Sequence, residues 1–71
     1  MVRFRVNWHS NGTEISRCFE NYWDALGCYN TMRMGSRYCV LTDEEKGVLR
    51  KTYMEKMEDN IHWERKEIVN D

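Results

Sequence analysis

The sequence predicts an α+β domain of element order ββαβα: a three-stranded antiparallel sheet in order 2-1-3, one helix on its face and a long C-terminal helix. Three observations carry that prediction. Val2, Phe4, Val6 and Trp8 alternate with Arg3, Arg5, Asn7 and His9, the period of a strand with one buried face. Asn11-Gly12 supplies the two positive-φ residues of a type I′ hairpin turn. Thr42-Asp43-Glu44-Glu45 has the form of a capping box with acids in the first helical turn, and no proline follows it.

The hairpin comes first. With Asn11-Gly12 as its loop, Ser10 faces Thr13, Trp8 faces Ile15, Val6 faces Arg17, Arg5 faces Cys18 and Phe4 faces Phe19. The apolar residues of both arms then share one face, and Arg3–Glu20 and His9–Glu14 become opposite-charge pairs on the other. Asn21 is placed to cap a helix, with Asp24 three residues on. Tyr22, Ala25, Leu26, Tyr29 and Met32 recur at helical spacing, so the helix runs from about Tyr22 to Met34. Gly35 is its expected left-handed stop. Gly27 lies inside it, where close approach to the sheet would explain it. Arg37 to Leu41 reads as a third strand. A right-handed crossover places it beside the first, with Arg17 blunting the edge of the second.

From Thr42 the chain stays helix-compatible to Val69. Leu49, Tyr53, Met57, Ile61 and Ile68 form one stripe, with Trp63 beside it. A helix of about twenty-five residues within that stretch would be roughly 37 Å long at 1.5 Å per residue. Strands of the expected length span only about 17–27 Å. Leu49 and Tyr53 are therefore expected on the body, and Ile61, Trp63 and Ile68 on an overhang that needs covering. A homodimer pairing two such helices is favoured over a partner groove.

With 71 residues, the chain makes one domain, residues 1–41 as body and 42–69 as helix. Its core supplies a net stability of only about 3–5 kcal/mol. Three cysteines in no paired spacing, with no apolar leader before them, point to a reducing cytoplasm rather than a disulfide scaffold. The apolar runs are too short to span a membrane. Net charge is −1, so no overall field draws nucleic acid or lipid. The division is uneven, about +2 up to Leu41 and −3 beyond it, and too weak to name a partner.

Chemistry-bearing constellations are sparse. Cys18, Cys28, Cys39, His9 and His62 form no chelating pair, so neither metal nor cofactor is expected. Arg5, opposite Cys18, is the one contact that would suit a nucleophilic thiol, but no Gly-rich turn or oxyanion donor set accompanies it, and an enzyme is not expected. Arg3, Arg5 and Arg37 offer a basic sheet face that would track phosphates. The expected phase turns the aromatic residues the other way, whereas single-strand binding interleaves them with the cations. Trp23 and Trp63 fall off the main stripes, and exposed tryptophans anchor interfaces.

The plan of Asn-Gly hairpin, aromatic-rich helix, third strand and long acidic helix resembles many very small phage-encoded cytosolic proteins, over residues Val2 to Leu41. That resemblance implies host takeover or anti-defence action by binding and blocking a larger host assembly. The function expected is therefore that of a non-enzymatic protein-binding module, with Ile61, Trp63, Ile68 and Trp23 as partner-binding residues. The alternative is a small RNA- or DNA-binding module using Arg3, Arg5 and Arg37.

Overall fold

The computed structural model describes residues 2–71, and it overturns the C-terminal half of the expected fold. The order is β1 (Phe4–Ser10), β2 (Thr13–Phe19), α1 (Tyr22–Met32), β3 (Tyr38–Asp43), β4 (Gly47–Lys56) and β5 (Trp63–Val69). All five strands form one antiparallel sheet in order β2-β1-β3-β4-β5. The protein is mostly β with one short helix, not a three-stranded sheet with a long C-terminal helix. A homodimer built on such a helix loses its basis with it.

The first hairpin pairs Ser10 with Thr13 through to Phe4 with Phe19. Its turn has Asn11 at φ 53 and Gly12 at φ 77, the left-handed pair of a type I′ turn. Asn21 caps α1 by accepting from the backbone N–H of Trp23 at 2.7 Å and of Asp24 at 3.3 Å. The other end closes differently from expectation, because Gly35 is not among the residues at positive φ. Instead the Arg65 guanidinium of β5 donates to the carbonyls of Arg33, Met34 and Ser36 at 2.6, 3.2 and 3.1 Å. Ser36 Oγ donates to Met32 O. The carbonyls of the C-cap and of the loop after it are thus met by a strand side chain, and the last helical carbonyl by Ser36. Gly27 also departs from expectation: a Cβ there would meet nothing within 4 Å, so no close approach requires a glycine.

The physical reasons for strand rather than helix after Thr42 lie in two turns and a bulge. Asp43 Oδ1 accepts from the Glu45 N–H at 2.9 Å, an Asx turn instead of a capping box, and Gly47 at φ +94 closes the β3–β4 loop. Leu41 faces Arg50 while Thr42 faces Val48, so Leu49 is the extra residue of a bulge and turns into the core. The second turn has Met57 N–H donating to His62 O at 2.8 Å, Asn60 at φ 63, and Asp59 Oδ1 accepting from the N–H groups of Ile61 and His62.

Val6, Trp8, Ala25, Tyr29, Cys39, Leu41 and Leu49 form the core between α1 and the sheet. The α1 backbone lies over β1, β2 and β3. Only side chains reach further. The Tyr29 hydroxyl meets Thr52 Oγ1 and donates to Glu67 Oε2 at 2.8 Å, which also accepts from Arg33 Nη1 at 3.1 Å. Asp71 accepts from Arg50 Nε and from the Tyr22 hydroxyl. Polar ties of this kind fasten the β4–β5 wing to the helix. Among the described residues, no second layer lies on the opposite face of the sheet, and the molecule's shortest dimension is 16 Å.

Candidate functional site on the open sheet face

Register decides what the uncovered face presents. Trp8 pairs with Cys39, and both point to the helix. Tyr38 must therefore point the other way, as successive side chains alternate across a strand. Tyr38 pairs with Tyr53, and Tyr53 with Lys66. The His9 ring stacks on Tyr38 with centroids 5.6 Å apart and planes at 27°. Glu14 faces His9. One row thus crosses all five strands on the open face: Glu14, His9, Tyr38, Tyr53, Lys66. The next row is Ser16, Asn7, Val40, Lys51 and Ile68. The Lys51 ammonium sits 5.4 Å from the Tyr53 ring centroid, a cation–π approach.

Electrostatically the face is balanced. Arg5 pairs with Glu44 at 3.1 Å, and Lys66 with Glu64 at 3.2 Å. Burial and the neighbouring Glu14 carboxylate both raise the Tyr38 phenol above its ordinary value, so it stays a neutral ring and hydroxyl donor. His9, Tyr38, Val40 and Tyr53 are half-buried, and Ile68 is 43% exposed.

The residues singled out in the sequence are scattered. Ile68 lies on the open face. Ile61, 86% exposed, caps the β4–β5 turn. Trp63 lies on the helix side near Arg37 and Met54. Trp23, 72% exposed, sits on the first turn of α1 against Tyr22. The structure does not bring these four together. Arg3 does not pair with Glu20 but donates twice to Asp43, at 3.0 and 2.9 Å, and also meets Glu45. Arg5 reaches the open face; Arg37 does not join it.

Tyr38, Tyr53, His9 and Lys51 were missed as a group. Their shared face depends on the phase of β3 and on the existence of β4, neither of which local alternation reveals.

Cys28 and Cys39 read as structural thiols. Burial pushes Cys39 up to about 12 and raises Cys28, which favours the protonated, unreactive form. Cys18, Cys28 and Cys39 are all unbridged. Among the described residues, no three His, Cys, Asp or Glu side chains are grouped to hold a metal ion. No helix is long and apolar enough to cross a membrane.

Fold and site together define a mostly β module, one short helix on one side of a five-stranded antiparallel sheet and an aromatic-bearing open face on the other. Compared with known proteins, the chain matches no protein family, no curated protein and no solved structure.

Proposed function

We propose that this chain is a non-enzymatic protein-binding module that docks on a larger cytosolic assembly through its open sheet face and modulates or blocks it. One observation carries the reading: the row His9–Tyr38–Tyr53 lies half-exposed on a sheet face over which none of the described elements packs. Tyrosine rings on a rigid sheet offer large amphipathic contact area at little entropic cost, the usual chemistry of interface hot spots. Balanced ion pairs around the row fit a protein surface better than a polyanion. The three unbridged thiols accord with a reducing compartment. The likeness to small phage-encoded blocking proteins supports the same reading, although it now rests on the hairpin, helix and third strand alone.

Retention from an extract of the source cells tests it, with the immobilised full chain as bait. Wild type should hold a stoichiometric protein. Tyr53→Ala, matched for melting temperature, should weaken that complex about 30-fold, the effect of a hot spot worth about 2 kcal/mol. Equal retention by both forms would contradict the reading.

A second reading has one observation in its favour: Tyr38 and Tyr53 share their face with Arg5 and Lys51, the interleaving that single-strand nucleic-acid binding needs. Against it, Arg5 is matched by Glu44 and Arg3 by Asp43 and Glu45. Oligonucleotide retardation at low salt, released steeply as salt rises, would establish it. No retardation at any salt would remove it.

A further inference from the structure

Behind the open face, beyond the C-terminal end of α1, a pocket of about 230 Å³ is lined by Arg37, Met54 and Trp63. Two strands, β4 and β5, and the loop between α1 and β3 build it. Trp63 opposes Lys56, and Met54 opposes Arg65; Arg65 reaches the helix-end carbonyls, so these residues share the helix-side face. Trp63 is 48% exposed. The Lys56 ammonium stands 5.9 Å from its ring centroid. Arg37 is fixed at the rim by its backbone N–H, which donates to His9 O at 2.9 Å. Its guanidinium has no carboxylate partner among the described residues, whereas Arg3, Arg5, Arg33 and Arg50 each have one.

Size and charge choose the occupant. Small-molecule sites usually enclose about 300–1,000 Å³, so this pocket holds one side chain rather than a whole ligand. The thioether and indole make an apolar floor and wall, soft and adaptable. Two cations at the rim and no carboxylate in the lining call for negative charge beside the inserted group. We propose that the pocket receives one apolar side chain of an acidic peptide segment, whose flanking carboxylates meet Arg37 and Lys56. The site is separate from the open sheet face and stands or falls independently of it.

The test uses the isotope-labelled full chain and three end-blocked pentapeptides. Glu-Glu-Phe-Glu-Glu should shift the Trp63 indole N–H and the Met54 methyl saturably. Glu-Glu-Ala-Glu-Glu and Lys-Lys-Phe-Lys-Lys should each bind at least about tenfold more weakly, as loss of the anchor or of the charge match requires. Arg37→Glu should weaken the acidic peptide about tenfold with an unchanged melting temperature, and Tyr53→Ala should leave its binding intact. No saturable shift at Trp63, an equal response to the lysine peptide, or an unaffected Arg37→Glu variant would each overturn the proposal. So would inorganic phosphate moving Trp63 as far as the peptide does, which would mark an anion site without an apolar anchor.

Discussion

Asp43 ties the start of the chain to the β3–β4 turn. Its carboxylate accepts two hydrogen bonds from Arg3 and one from the Glu45 N–H. The Arg3 guanidinium holds its pKa down at about 2, against the opposing effect of burial. The folded value lies below the ordinary carboxylate value of about 3.9. The pair's contribution is therefore fully present above about pH 4 and is lost as pH falls through about 2. Asp43→Asn should lower the melting temperature at pH 7, and thermal melts followed by circular dichroism should show the gap closing between pH 4 and 2. A gap independent of pH would mean the turn geometry, not the charge, matters. Gly27 is the opposite kind of residue. It sits exposed inside α1 with open space where a Cβ would go, so Gly27→Ala should stabilise the protein by about 0.5–1 kcal/mol in urea unfolding.

At the scale of elements, legibility followed local regularity. The first hairpin could be read to its register because Val2 to Trp8 alternates cleanly and Asn11-Gly12 names its own turn. The start of α1 was equally plain, since Asn21 followed by Asp24 is a cap in both sequence and structure. Beyond Thr42 two signals misled. Asp43-Glu44-Glu45 is an acid run that suits a helix start as well as an Asx turn. Leu49, Tyr53 and Met57 are also spaced four apart, as on one helix face, although they belong to a strand and a turn, and the bulge at Leu49 puts Leu49 and Tyr53 on opposite faces of the sheet. Asp59-Asn60 was a turn signal passed over, because each residue alone is tolerated in a helix. The candidate face was hidden for a related reason: Tyr38 and Tyr53 meet only through pairing of β3 with β4. Gly47, at φ +94, is where the strand reading is most exposed to test. Gly47→Ala should cost at least about 1 kcal/mol, the penalty of a Cβ in left-handed backbone. A helix beginning at Thr42 would instead gain from that change.

For the whole molecule, the decisive asymmetry is that a helix of 11 residues covers one side of the first three strands and none of the described elements covers the other side. The helix is about 16 Å long at 1.5 Å per residue, too short to shelter a five-stranded sheet on even one face. The wing is held by Arg65, Glu67 and Asp71 instead, and its tip residue Ile61 projects into solvent. Docking of a protein partner on the open face, as proposed above, would leave that face in covalent reach of the partner. Site-specific photo-crosslinking tests it most directly: a benzophenone side chain placed at Tyr53 in one form and at Trp23, on the helix, in another, each expressed in the source cells. Docking on the open face should give one discrete protein adduct from position 53 and none from position 23. Adducts from position 23 alone, or nucleic acid rather than protein attached at position 53, would contradict it.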